Sequence, residues 1–501
     1  MSSITTQLKN PALFQRRAYS HGQWIDARSK AEFDVDDPGT GGVIASCPDL
    51  AVEDVDAILQ SSHQAFQEYK AINPRKRAEL LLRWHQLIRD HRDDIALILS
   101  RETGKPLAEA YGEIDYATGF TWWWFAGEAE RIRGDISTPS APNRRVVILK
   151  QPIGVCVALV PWNFPVAMIL RKVGAALAAG CTMIAKPSPE TPLTTLTLAK
   201  LATEAGFAPG VFNVITTSNA NTPAVSEALC THSLVQKVSF TGSTAVGSII
   251  ARHCAIGIKR LTLELGGNCP MVIFSDANQE QALAQLTALK WRHAGQACIT
   301  ANRIYVQDEI YEEFLAKLVD HAKSIKVGHG LDDRTTMGPL TTRWGVEKAR
   351  RLVDDAVADG ANIVHGGKEL EGGCFGGGYF FEPTILRDVT AKAQVTQEEC
   401  FAPIAAVYRF KTEEEVLRLA NDTNMGLASY VFTKDVDRSW RMLEGLDAGM
   451  IGLNTGNSSA AESPFGGMKM SGYGKESGKE VAVAEYLVSK TCTMTVEGAR
   501  V

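Results

Sequence analysis

At 501 residues the chain is long enough for roughly two to four domains with a large core, and 45% hydrophobic with 22% charged residues is ordinary for a globular protein. A formal net charge of −5, with no basic block and no Arg/Lys stripe, excludes a nucleic acid or an anionic membrane surface as partner and leaves a small molecule. Ten cysteines without a CxxC pair exclude the dense disulfide framework of a small secreted domain and point to a reducing compartment.

The N-terminal stretch MSSITTQLKNPALFQRRAYSHGQW has no apolar core of the kind a signal peptide needs. A cytoplasmic location is the expectation, and the basic residues leave a mitochondrial address open. The longest apolar run, 154–170, is interrupted by Pro161, Asn163 and Pro165, and neither half approaches the ~20 residues of a membrane span. It reads as a buried strand, a turn and the start of a helix.

From about residue 152 strands and helices alternate. VCVALV (155–160) is a continuous apolar run suited to a strand buried on both faces, and the Ala/Leu-rich 166–180 closes on Gly180 as a helix with its stop. TMIAK (182–186) is the next strand. Thr191 is expected to cap a helix with Pro192 in its first turn and Gly206 beyond its end, before the strand 211–215. A strand at 237–240, the turn TGSTAVG, a helix and a strand at 260–264 complete the block.

A second block follows: a strand at 270–274, a helix over 278–293, a strand at 303–307 and an amphipathic helix over 309–325. ANIVHGG, FFEPTIL, APIAAVYRF and GLASYVF come later, separated by helical spans such as 412–421. The Gly-rich 371–380 reads as a surface loop, because no helix opens after it. Strict alternation predicts α/β architecture with doubly wound parallel sheets and right-handed crossovers. Two such domains fit the length, and the irregular segments 134–151 and 480–501 suit an appendage that joins subunits.

No GxGxxG fingerprint, Walker loop, HExxH or GxSxG elbow is present, and no metal is expected. In FTGSTAVG, Gly242 and Gly247 bracket a strand-to-helix turn where backbone N–H groups and a helix dipole could meet a phosphate; an ordinary turn would look the same. Lys186 ends a strand at the presumed carboxyl edge of the sheet, where open α/β folds bind ligands, though a solvated lysine is equally consistent. Asn163, fixed between two prolines, could donate to an oxyanion or simply form the turn. Glu264 ends an apolar strand, where desolvation raises a carboxyl pKa and suits a general base; a paired structural glutamate is the alternative. Cys298 lies in a polar, Gly-containing loop (AGQACITANR) rather than inside an apolar run, so a substrate could reach it, although most free cysteines are buried packing residues.

Together PWNFP, ALAAGCTMIAKPSPETP, GVFNVI, FTGSTAVG, LELGGN, GQACITANR, QEECFAP and PFGGMKMSGYGKESG resemble, in order and spacing over nearly the whole chain, the aldehyde dehydrogenase superfamily. The resemblance implies a Rossmann-like cofactor domain without GxGxxG (1–133 and 152–264), a catalytic α/β domain (265–479) and a small oligomerisation element (134–151 and 480–501). It implies Cys298 as nucleophile, Glu264 as general base, and Asn163 with the Cys298 backbone N–H as the oxyanion site. Trp162, Lys186, Ser188, Gly242, Ser243, Gly247, Glu399 and Phe401 fall at cofactor-contact positions.

Within the superfamily the chain looks most like the succinate-semialdehyde dehydrogenases: Arg171, Arg292 and Ser459 match the positions that bind the substrate's distal carboxylate, for which guanidinium is the apt partner. The expected reaction is NAD(P)-dependent oxidation of succinate semialdehyde to succinate by a homodimer or homotetramer. Alternatives are a larger or neutral aldehyde, or a non-catalytic structural or binding protein on the same fold. Pro189 occupies the place, three residues after Lys186, where NAD-preferring relatives often carry Glu, so NADP is expected to be accepted. Thr300 stands where some relatives have a second, redox-active cysteine, and Ala402, Lys475 and the segment GNSSAAES also depart from the family pattern.

Overall fold

The protein is described here by a computed structural model covering residues 4–137 and 139–498. Residues 1–3 of the expected cofactor domain, and Thr138 and residues 499–501 of the expected oligomerisation element, lie outside the described residues. Two mainly parallel sheets organise the chain. The first runs Gln23–Ile25, Ala18–Ser20, Phe212–Val214, Thr182–Lys186, Val155–Leu159, Val235–Thr241, Arg260–Glu264, Gly472–Tyr473, and its five middle strands are parallel. The chain builds outward from Val155–Leu159 on one side and then returns to Val235–Thr241 on the other. Their shared boundary is therefore the topological switch point, where ligands bind beyond the carboxyl ends of the strands.

Every residue of Val155–Leu159 and of the Pro165–Ala179 helix is buried, which is why both read as apolar on all sides. This helix and the Pro192–Ala205 helix stop at Gly180 and Gly206, both left-handed with φ of 92° and 100°. Thr191 does occupy the N-cap position of the second, but its hydroxyl makes no capping bond. The buried Glu102 carboxylate caps instead, accepting from Leu193 N at 2.8 Å and Thr194 N at 2.9 Å. Burial pushes Glu102 up to about 8.

The second sheet runs Asn362–His365, Thr384–Arg387, Ile404–Phe410, Ala301–Gln307, Cys269–Ile273, Ala428–Phe432, Met450–Leu453, all parallel except the first strand. Separate apolar clusters cover each face of both sheets, giving the doubly wound arrangement. The helix expected over 278–293 ends earlier, as Gln279–Lys290, because His293 and Ala294 adopt left-handed φ of 49° and 52°. The loop 371–380 lies on the surface apart from its last residue, as its glycines suggest. A third, antiparallel sheet joins Leu487–Thr495, Arg144–Pro152 and Asp135–Ser137, with Ile136 72% and Leu149 51% exposed. Among the described residues no helix is long and apolar enough to cross a membrane.

Candidate active site

The carboxyl edge of the first sheet meets the amino edge of the second. Leu159 leads into Trp162 and Asn163, while Lys186, Gly242 and Glu264 end or follow neighbouring strands. Cys298 comes just before the strand Ala301–Gln307, on the opposing edge. Asn163 bridges the two: its Nδ2 donates to the Gln296 backbone carbonyl at 3.0 Å. A primary amide carries two N–H donors, so one is left for an oxygen placed at the site.

Cys298, Arg171, Arg292 and Ser459 all line one cavity of about 400 Å³, together with Glu109, Tyr116 and Phe465. That volume suits a small organic substrate. Neither arginine sits on an open helix surface. Arg171 is 3% exposed, 3.7 Å from Glu476, and stacks over Phe465 at 4.3 Å. Arg292 lies over Phe164 at 5.3 Å. Ser459 Oγ and the Tyr116 hydroxyl share a hydrogen bond of 2.6 Å.

Burial pushes the Cys298 thiol well up, and the Glu399 carboxylate adds to this; Arg171 pulls the other way. Glu264 is 2% exposed and neither carboxyl oxygen has a hydrogen-bond partner. Burial first, and the charge of Glu476 second, hold its pKa well above the ordinary carboxyl range, opposed by Arg171, Lys172 and Lys475. Thr300, two residues after Cys298, is buried with its hydroxyl on the Leu289 carbonyl at 3.2 Å.

The remaining candidates gather around the switch point. Lys186 is buried, its ammonium donating to the Pro187 carbonyl at 3.1 Å, and burial lowers it to about 8. Its other donors are available to a bound hydroxyl-rich ligand. Ser188 Oγ bonds Glu190, whose other oxygen accepts from Asn219 Nδ2 at 3.0 Å. Ser243 caps the Thr244–Ile256 helix, accepting from Val246 N, and Gly242 N donates to the Glu264 carbonyl at 3.1 Å. Gly247 lies tight against the Leu265 side chain, so its missing Cβ is used in packing. Glu399 Oε1 accepts from Gly267 N at 3.2 Å, and burial pushes this carboxyl up to about 7. Phe401, left-handed at φ 54°, sets its ring edge-on to Trp162 at 5.4 Å. Such a backbone outlier is the kind of strain that clusters at functional sites. A buried cation with spare donors, a carboxylate and two aromatic rings fit a dinucleotide carrying ribose hydroxyls and a flat ring. Among the described residues no group of three or more His, Cys, Asp or Glu could hold a metal ion.

Several residues of the site were not anticipated from sequence. Lys105, fully buried, pairs with Glu113 and donates to the Asn163 backbone carbonyl at 2.8 Å. Glu113 Oε1 accepts from Val166 N and Ala167 N at 2.9 and 3.2 Å, so one buried ion pair anchors both Asn163 and the start of the Pro165–Ala179 helix. Glu476 receives Lys172 and Ser239 Oγ behind Arg171. His293, expected on the preceding helix, instead sits in the left-handed turn, 1% exposed, edge-on to Trp162 and Phe164 at 6.0 and 5.8 Å. Burial, reinforced by Lys105 and Arg292, keeps it neutral, so it is poorly suited to activate Cys298 as a cysteine-protease histidine would.

Gly295 continues that turn at φ 75°, and a Cβ there would fall on the Ala402 carbonyl oxygen. Gly295→Ala combines a left-handed penalty with a clash against backbone, and is expected to cost more than about 2 kcal/mol of stability. Thermal denaturation checks this, and an unchanged Tm would refute the strain argument.

The profile of the aldehyde dehydrogenase family matches residues 24–492. The chain is 44% identical over 490 residues to a glutarate-semialdehyde dehydrogenase of Pseudomonas putida, covering 98% of this chain and 100% of that one. It is also 44% identical over 484 residues to an NADP(+) succinate-semialdehyde dehydrogenase of Escherichia coli, covering 97% and 98% of the two chains. A crystal structure of an E. coli NADP-dependent enzyme superposes with a TM-score of 0.95 at 44% identity, covering 98% of this chain and 100% of that one. With the family matched over residues 24–492 and the Cys298 loop set against a doubly wound parallel sheet, the chain belongs to the aldehyde dehydrogenase family.

Proposed function

We propose that this enzyme oxidises a short ω-carboxy aldehyde, succinate semialdehyde first among them, to the dicarboxylic acid with NAD or NADP as hydride acceptor. The observation that carries this reading is that Arg171 and Arg292 line the same cavity as Cys298. A cavity lined by two guanidiniums and a thiol suits a small aldehyde that also carries a carboxylate. The names of the Pseudomonas and E. coli relatives, acting on the five- and four-carbon semialdehydes, support the same substrate class.

Cys298 gives up its thiol proton to solvent and the thiolate adds to the aldehyde carbon, while the carbonyl electron pair moves onto oxygen, where Asn163 Nδ2 and the Cys298 backbone N–H donate to it. A nicotinamide held beside this carbon would supply the acceptor for its hydride. Trp162, Lys186, Ser188, Gly242, Ser243, Gly247, Glu399 and Phe401 are the residues that would hold and orient the dinucleotide. Glu264 takes a proton from the water that hydrolyses the Cys298 thioester, releasing the acid and the thiol. Pro189 places no carboxylate next to the ribose position, and Glu190 is turned to Ser188 and Asn219, which supports acceptance of NADP.

The domain organisation we propose assigns 1–133 and 152–264 to cofactor binding, 265–479 to catalysis, and 134–151 with 480–501 to a homo-oligomer contact. The exposed apolar residues of the third sheet support that contact, and ten free thiols support a reducing compartment such as the cytoplasm.

The test is kcat/KM for succinate semialdehyde, glutarate semialdehyde and neutral aldehydes of matching length, with each cofactor. Arg292→Leu is expected to lower the succinate-semialdehyde value about 10- to 100-fold and to reduce its ratio to the neutral aldehyde, since a charge-assisted, partly buried bond is lost. Preference for neutral aldehydes in the wild type, or an unchanged ratio in the variant, would refute the carboxylate reading.

A further inference from the structure

The substrate cavity holds a carboxylate for which the mechanism has no use. Glu109, on the Leu107–Gly119 helix, lines the cavity together with Arg292, Arg171 and Cys298. Its neighbour Glu113 also lines the cavity, but both oxygens of Glu113 are occupied, one by Lys105 and the other by Val166 N and Ala167 N. Glu109 Oε2 accepts from His293 N at 2.7 Å, which ties it to the left-handed turn that follows Arg292.

We propose that Glu109 is a specificity-determining residue whose ionisation sets how strongly the cavity favours an aldehyde with an anionic tail over a neutral one. This rests on the reading of the cavity as a carboxylate receiver. With Glu109 protonated, it offsets neither guanidinium: Arg292, and Arg171 beside its partner Glu476, are left to receive the substrate's carboxylate. With Glu109 ionised, one of those positive charges is offset and the anionic tail meets a like charge across the same cavity.

The groups around Glu109 are Glu113 and Tyr116 from its own helix, Lys105 from the segment before it, Arg292 and His293 from the adjoining turn, and Arg171 and Cys298 in the lining of the same cavity. Burial pushes Glu109 up to about 7, Glu113 adds to this, and Lys105, the His293 N–H and Arg292 hold it down. Its charge therefore changes in the range where the enzyme can be assayed. Cys298, Glu264 and Glu399 titrate as well, but they act on both kinds of aldehyde, so the ratio of two kcat/KM values largely removes their contribution.

The experiment measures kcat/KM for succinate semialdehyde and for butanal from about pH 6 to about pH 8.5, in the wild type and in Glu109→Gln. The amide keeps an acceptor for His293 N–H and cannot ionise. In the wild type the ratio of carboxylated to neutral aldehyde is expected to fall on the order of tenfold across this range, the size of effect one charge exerts in a partly buried cavity. In Glu109→Gln the ratio should stay at its low-pH level, so at the alkaline end it exceeds the wild-type ratio by a similar factor. A flat wild-type profile overturns the proposal without any variant, and so does a Glu109→Gln profile that keeps the wild-type slope. A wild type that prefers butanal at every pH overturns the carboxylate reading itself, and this proposal with it; preference for succinate semialdehyde with no Glu109 effect overturns the proposal alone.

Discussion

Cys298→Ala is expected to abolish NAD(P)H formation, by on the order of 10⁴-fold or more, because no other group at the cavity can form the thioester. The cavity lining contains one sulfur nucleophile. Cys269 is the nearest alternative, its thiol 3.4 Å from the Cys298 carbonyl, but it is 1% exposed and burial pushes it to about 12. Cys374 and Cys492 are exposed and far along the chain from the site, so alkylation of the wild type labels them too. The decisive readout is therefore aldehyde protection. Substrate should slow labelling at Cys298 alone, and the Ala variant should lose that protected thiol while keeping the two exposed ones. Since burial raises the Cys298 thiol, its labelling rate should rise with pH. A Cys298→Ala enzyme that still produces NAD(P)H at wild-type rate would end the covalent mechanism.

The strands that build the site were legible because their signals are local. Thr182–Lys186 and Arg260–Glu264 fall where short apolar runs meet Pro or Gly, and Pro165–Ala179 ends where Gly180 provides a left-handed stop. The cap at Thr191 could not be read, since the group that satisfies those N–H donors, Glu102, lies 91 residues away from Leu193. The end of the Gln279–Lys290 helix was missed for a different reason. His and Ala rarely adopt positive φ, and the turn they form is imposed by tertiary contacts such as the bond from His293 N to Glu109.

The largest omission was the stretch GKPLAEAYGEIDY. Its Glu109, Glu113 and Tyr116 recur at helical spacing and share the cavity face, a pattern that was available in the sequence. What it lacked was a reason to prefer function over a solvated helix face, and that reason is Lys105, buried beneath Asn163. Glu476 was equally silent: in GKESG it looks like a loop carboxylate, and only packing brings it to Lys172 and Arg171. Cys298, Asn163 and Glu264 could thus be picked out as candidates from motif and family likeness. The groups that tune it come from distant parts of the chain.

Glu264→Gln is expected to slow steady-state turnover by about 10²- to 10⁴-fold while leaving a burst of about one NAD(P)H per active site. A glutamine cannot take the proton of the attacking water, so the acyl group should accumulate on Cys298 after hydride has left. Rapid mixing with excess aldehyde measures the burst, and mass spectrometry should find the acyl adduct on Cys298.

The pH dependence has a definite sign. Burial and Glu476 raise the Glu264 pKa, so wild-type deacylation should rise with pH as the carboxyl ionises, along a limb displaced above the ordinary carboxyl range. That limb should be absent in Glu264→Gln. If the burst vanishes along with the steady-state rate, Glu264 acts before the thioester, as the base that ionises Cys298, and the water-activating role is wrong. Stability should move the other way. The folded protein holds the Glu264 proton more tightly than the unfolded chain does. Folding therefore loses stability as pH rises above the unfolded carboxyl pKa, until the folded-state pKa is passed. Gln removes that loss, and neither Glu264 oxygen has a hydrogen bond to forfeit. Glu264→Gln should then melt no lower than the wild type at alkaline pH, as expected when a buried carboxyl is kept for catalysis at the expense of folding. A clear drop in its Tm there would mean that the carboxylate is paired in solution and that its burial has a structural purpose.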